Sequence, residues 1–181
     1  GEVKLSATVP HRHPVCGATC GDSKTHGNQT WIGVSNLTDI KSGGYYYLTD
    51  NVKLNDTWIC TNDVALCLNG KTITCAAEVD AIKVAKRTTL IITDCQKVVG
   101  KITHAHDNKV TINGNGGGVY AKDSTNFVIS GGSIDSNHAP SSGGGIYYES
   151  TISKSVKFNI SGGNIVRNTA VTGNGGGIWL K

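Results

Sequence analysis

From Tyr45 onward, apolar residues recur at every second position in short runs, and each run is closed by glycine, asparagine or serine. Val52 and Leu54 begin the series, followed by Leu66 and Leu68, Ile73, Ile82 and Val84, Leu90 and Ile92, and Ile102. Val119, Ala121, Phe127, Ile129 and Ile134 continue it, and Ile146, Tyr148, Phe158, Ile160 and Ile165 are their counterparts further on. Polar or amphipathic residues such as Tyr120, Tyr147 and Asn159 stand between them; Val128 departs from the rule. Period two with one apolar face predicts short, half-buried β-strands. The polar stretch SNLTDIKS (35–42) precedes the first run and reads as a short helix placed as a cap.

The strands repeat as a unit. Gly116 to Ala139 and Gly143 to Ala170 carry the same phrase: a Gly triplet, an alternating strand, a Ser-Gly-Gly turn and an Ile-x-x-Asn strand. A third copy opens at Gly175. Gly triplets recur after 27 residues and Ser-Gly-Gly turns after 31. The first half aligns with the second: Ile82-x-Val84 with Val119-x-Ala121, Leu90-x-Ile92 with Phe127-x-Ile129, and Ile102 with Ile134. A period of about 30 residues built from strands and glycine turns predicts stacked repeats, since no single repeat can bury its own apolar face. About four coils and the start of a fifth are expected. Asn137 and Asn168 fall at equivalent places, which suits a structural Asn ladder along the stack.

The segments HRHPVCGATC (His11 to Cys20), YYLTDNVKL (Tyr46 to Leu54), LCLNGKTIT (Leu66 to Thr74) and ITDC (Ile92 to Cys95), together with the glycine repeats, resemble β-helix domains of large secreted or wall-attached surface proteins of gut Firmicutes. The resemblance implies an all-β fold, a right-handed parallel β-helix of pectin-lyase-like architecture at 45–181. An N-terminal Cys/His segment and cap at 1–44 would precede it. It also implies a bacterial protein that is secreted or held at the cell surface.

Composition narrows the picture further. The 181 residues include 24 glycines, 3 prolines and no methionine. High Gly without high Pro fits a turn-rich β-fold better than a disordered linker. The net charge of +4 has no Lys/Arg run behind it, which argues against nucleic-acid binding. No apolar stretch approaches the length of a membrane span, so no membrane insertion is expected. The absence of an initiating Met and the halt of the third repeat at Lys181 lead us to expect a longer parent chain with further coils. The open last strand is expected to fray or to pair with another copy. Asn-x-Ser/Thr triplets begin at Asn28, Asn36, Asn55 and Asn159; in a bacterial protein they carry no meaning.

Six cysteines suit an exported protein. His13, Cys16, Cys20 and His26, with His11 as an alternative ligand, have the ligand types and spacing of one structural zinc site; a Cys16–Cys20 disulfide is the rival reading. The other four allow three pairings, of which Cys67–Cys95 with Cys60–Cys75 is favoured over buried thiols. Catalytic carboxylates are not clustered in sequence. Asp135 and Glu149 with His104, His106 and His138 form the best available group, and a polysaccharide lyase or glycoside hydrolase is the alternative function. The leading expectation is non-enzymatic: a rigid stalk or adhesin-like module toward glycans or surface proteins. Tyr120, Tyr147 and Trp179 occupy one outward position in successive repeats, a ladder that suits sugar or peptide contact or else covers a neighbouring loop.

Overall fold

A computed structural model describes residues 31–105, 114–123, 126–151 and 157–181. They are β-structure joined by turns, with a single helical element among them, a three-residue 3-10 turn at Leu37–Asp39. The SNLTDIKS stretch thus yields one turn. Asn36 accepts from the Thr38 amide at 3.2 Å while its own amide donates to Asp39 Oδ2 at 3.1 Å, a reciprocal cap that fixes the turn's start.

The strands are, in order, β1 (Trp31–Val34), β2 (Gly44–Leu48), β3 (Val52–Leu54), β4 (Trp58–Cys60), β5 (Val64–Cys67) and β6 (Thr72–Cys75). Next come β7 (Ile82–Val84), β8 (Thr89–Thr93), β9 (Lys101–His104), β10 (Val119–Lys122), β11 (Asn126–Ile129) and β12 (Ser133–Asp135). The last are β13 (His138–Ala139), β14 (Ile146–Glu149), β15 (Lys157–Ile160), β16 (Asn164–Val166), β17 (Thr169–Ala170) and β18 (Ile178–Leu180).

Every pairing between them is parallel. The first sheet has the order β1-β2-β5-β8-β11-β15, the second β3-β6-β9-β12-β16 and the third β4-β7-β10-β14-β18; β13 and β17 form a small fourth. From β2 on, the chain visits the three large sheets in fixed rotation. Strands close in sequence therefore lie in different sheets, and each pairs with a strand one repeat away. Ile82 faces Val119, Leu90 faces Phe127 and Ile102 faces Ile134, the offsets read from the repeats.

The inward positions of the sheets meet in one core. Leu66, Ile73, Ile82, Leu90, Ile92, Ile102, Phe127 and Ile146 are fully buried within it. Burial fades at one end. Ile129 is 1% exposed and its register partner Ile160 39%; Tyr148 is 6% exposed and its partner Leu180 54%. These residues have the same inward register, but among the described residues no further strand packs over them.

Two kinds of corner turn the chain between sheets. Gly116, Gly143 and Gly175 open the three Gly triplets with φ of 83°, 70° and 70°, a conformation that a side chain disfavours. Ser136 and Arg167 take the left-handed conformation at 54° each, just ahead of Asn137 and Asn168. Those asparagines hold the corner. Asn137 Nδ2 donates to the Ile102 carbonyl at 2.9 Å and to Asn168 Oδ1 at 3.1 Å, and Asn168 Nδ2 donates to the Ile134 carbonyl at 2.8 Å. Each side chain thereby satisfies a backbone carbonyl one repeat back, which a buried turn cannot do for itself.

Candidate functional site

Along the outer face of the third sheet one register column runs Ile59, Lys83, Tyr120, Tyr147, Trp179. Its three aromatic rings stack. Tyr120 and Tyr147 have centroids 5.1 Å apart and planes within 5°; Tyr147 and Trp179 are 4.4 Å apart and within 10°. Parallel strands about 4.8 Å apart impose that spacing, so identical outward positions bring ring onto ring. The stack consumes ring faces: Tyr147 has a neighbour on each side and is only 7% exposed. What the column offers a ligand is ring edges and the outer part of Trp179. At the other end, Lys83 Nζ sits 5.6 Å from the Tyr120 centroid, a cation–π contact.

Beside the rings lies a charged row. Tyr147 Oη donates to Glu149 Oε2 at 2.9 Å, and Lys122 and Lys181 pair with Glu149 at 3.3 and 3.6 Å. The Tyr147 hydrogen bond, then Lys122 and Lys181, hold Glu149 below the usual carboxylate range. Burial and then Glu149 push the Tyr147 hydroxyl up to about 12. Glu149 is thus a fixed anion tied to three donors.

The acids singled out from sequence sit apart. Glu149 belongs to the third sheet, whereas Asp135 lies on β12 in the second and is paired with the Arg167 guanidinium. Burial raises Asp135, but Arg167 and Ser136 outweigh it and leave its carboxyl low. Asp123 accepts from the Thr151 amide and hydroxyl, which lower it. His104 and His138 do come together, with ring centroids 5.1 Å apart. Both His104 nitrogens are engaged, Nδ1 with Asn137 Oδ1 at 2.9 Å and Nε2 with the Val79 carbonyl at 2.8 Å. His106 falls outside the described residues, as do His11, His13, Cys16, Cys20 and His26 of the candidate zinc site.

Cys60, Cys67, Cys75 and Cys95 are thiols in the structure. Cys67 on β5 and Cys95 just past β8 are neighbours: their sulfurs and an Asp94 oxygen lie within 4.8 Å of one another. Among the described residues this trio alone groups three metal-type ligands so closely. Asp94 is already spent, however. Its Oδ1 accepts from the amides of Gly70 and Gln96 and its Oδ2 from that of Gly100, so the group reads as a hydrogen-bond hub beside a thiol pair. Cys60 and Cys75 lie in different sheets, and each points its thiol at a carbonyl of the following turn, Asn62 at 3.2 Å and Ala77 at 3.5 Å. Burial pushes the Cys60 thiol up to about 12 and Cys67 well above its ordinary value.

These placements set an expectation for oxidation by glutathione disulfide. Cys67 and Cys95 lose two hydrogens and form one bond, while the oxidant is reduced to two glutathione thiols. Cys95, the half-exposed thiol of the four, meets the oxidant first and Cys67 resolves the mixed disulfide, while Cys60 and Cys75, buried and held in different sheets, stay reduced. Closing this 28-residue loop would add roughly 3.6 kcal/mol by chain entropy. Peptide mapping after oxidation checks the pairing; a Cys60–Cys75 link in the folded protein would contradict the geometry.

Sequence reasoning missed the upper end of the outward column. Asp80, two residues ahead of Ile82, stands beside Lys83 and Tyr120 in a cleft with Asp56, Thr57, Ile59 and Asn115. The available signal was the register itself: Lys83 occupies the Tyr120 position one repeat earlier. No family model, curated protein or solved structure matches this chain.

Proposed function

We propose that the chain is a right-handed parallel β-helix of four to five coils, and that it serves as a rigid, non-enzymatic module on the outside of a bacterial cell, contacting glycans or surface proteins. The observation that supports this reading is the rotation of the chain through three parallel sheets in constant register around one core. Such a stack resists bending because every layer shares backbone hydrogen bonds and core contacts with the next. The acids support a binding role over a hydrolytic one: Asp135 and Glu149 are in different sheets, and each is neutralised by its own cations. Hydrolysis of a glycosidic bond needs two carboxyl groups across one bond, within about 10 Å. A further layer would cover Ile160 and Leu180, inward in register with the buried Ile129 and Tyr148 yet left exposed.

A glycan and protein array, probed with the wild type, Tyr120→Ala and Trp179→Ala, tests this. Signals on a defined subset of spots, reduced several-fold by either variant, are expected. Tyr147→Ala is the poorer probe, since removing the middle ring also opens a hole in the stack. Turnover of an arrayed polysaccharide would sink the non-enzymatic reading, and equal signals from all three proteins would remove the aromatic column from the contact surface.

A further inference from the structure

The cleft at the head of the outward column is built from three successive layers of the third sheet and the turns that feed them. Asp56 and Thr57 come from the turn before β4, Val79 and Asp80 from the turn before β7, and Gly114 and Asn115 from the turn before β10; Ile59, Lys83 and Tyr120 form its floor. Its volume is about 500 Å³, within the range of small-molecule sites. Ile59 is 52% exposed, an apolar wall left open to solvent. Asn115 gives its carbonyl oxygen to the Ser142 amide at 3.0 Å, so its amide N–H groups are what remain for a ligand.

We propose that this cleft binds a neutral saccharide through the Asp80 carboxyl, the Asn115 amide and the Thr57 hydroxyl, with Ile59 and the Tyr120 edge as the apolar wall. The inference rests on the reading that this face contacts glycans, and it names the subsite and the ligand class. Charge selects the class. Asp56 disfavours an anion, and Lys83 at the same floor disfavours a cation. Carboxyl, amide, hydroxyl and ammonium groups interleaved with apolar surface match a sugar, whose hydroxyls both donate and accept while its C–H faces are apolar. Three strands span about two spacings of 4.8 Å, close to the advance of two pyranose units along a linear chain.

The protonation of Asp80 adds a pH signature. Burial pushes its carboxyl up to about 7, against the opposing pull of Lys83. The titratable groups around it are Asp56 from the turn before β4, Lys83 on β7, Tyr120 on β10 and the Cys75 thiol on β6, which feels both Asp56 and Asp80. A ligand that excludes more water favours the neutral carboxyl further. Binding then takes up a proton, and affinity rises as the pH falls from 8 to 6.

Titration calorimetry with the whole chain and neutral tetramers of β-1,4-linked glucose, mannose and N-acetylglucosamine tests the proposal, with oligogalacturonate as the anionic control. At least one neutral tetramer is expected to bind. Asp80→Ala and Asn115→Ala should weaken it about tenfold or more. Asp80→Asn, which keeps the shape and hydrogen-bonding capacity of the protonated acid, should bind at pH 8 as the wild type does at pH 6, with no pH dependence; it also guards against a folding defect in the alanine variant. Equal binding by wild type and Asp80→Ala, or preference for the galacturonate, overturns the proposal. If binding survives in Asp80→Ala and disappears in Trp179→Ala, the glycan sits on the stacked rings: the cleft is wrong and the broader reading stands. If no tetramer binds the wild type, the cleft and the glycan arm of that reading fall together.

Discussion

Gly117→Ala is expected to remove most of the protein's stability, while Gly177→Ala leaves the thermal midpoint within a few degrees of the wild type. Both glycines lie inside Gly triplets, and neither has the positive φ of the triplet's first residue. The difference is in what faces them. A Cβ on Gly117 would stand 2.2 Å from the His138 carbonyl oxygen and 2.5 Å from that of Gly144. Both are backbone atoms of packed layers, and neither can rotate aside. Gly117 also stitches those layers, donating to the Gly143 carbonyl at 3.2 Å and accepting from the Ala81 amide at 3.0 Å. Any shift that makes room for the methyl pulls on these bonds, and a cost of about 4 kcal/mol or more is expected for overpacking against fixed backbone. At Gly177 the nearest atom to a Cβ is Ile165 Cγ2 at 3.6 Å, ordinary contact. Circular dichroism melts of the two variants check this. Similar midpoints would show that the stack can open locally around Gly117.

That contrast marks what the sequence could and could not disclose. Alternation and repeat spacing are local and periodic, so the inward positions Phe127, Ile129 and Ile146 and the register of Ile82 on Val119 were legible from residue type and offset. Equal outward offsets likewise put Tyr120, Tyr147 and Trp179 in one column. What offsets do not carry is the space around a residue. Gly118 and Gly177 are the same member of their triplets, yet a Cβ would meet the Gly145 carbonyl oxygen at 2.7 Å in the first and nothing nearer than 3.6 Å in the second; the rings of a ladder likewise shield one another, as the burial of Tyr147 shows. Polar partners were the least legible. Asp135 meets Arg167, 32 residues later, and Asp94 meets three amides; no motif announces either, because backbone donors have no sequence signature. The Asp80 cleft was hidden for a related reason, since it joins turns from three repeats whose sequences have little in common.

Asp94→Ala is expected to be the second most damaging change, at roughly 4 kcal/mol. Asp94 is 1% exposed, in the turn after β8. Its carboxylate instead organises three chain segments. Oδ1 accepts from Gly70 at 3.1 Å, at the Asn69-Gly70 turn, and from Gln96 at 2.9 Å, in its own turn; Oδ2 accepts from Gly100 at the entry to β9. Gly100 needs that position, because a Cβ there would lie 2.5 Å from the Lys71 carbonyl oxygen. Alanine leaves the buried Gly100 N–H without its acceptor, at about 1–3 kcal/mol, and strips the half-buried bonds from Gly70 and Gln96, at about 0.5–1.5 kcal/mol each. Asp94→Asn should cost about half as much: its carbonyl oxygen can still serve Gly70 and Gln96, but its NH2 then faces the Gly100 N–H, donor against donor. Asp50→Ala is the control, an exposed carboxylate bonded to the neighbouring Thr49 hydroxyl, with an expected change of under about 0.5 kcal/mol. Urea unfolding of the three variants gives the order. Because the same turn covers the thiol pair, iodoacetamide labelling of Cys67 in the folded protein should quicken in Asp94→Ala and stay at the wild-type rate in Asp50→Ala. A stable Asp94→Ala protein with protected Cys67 would show that the turn is held by packing and that the carboxylate is dispensable.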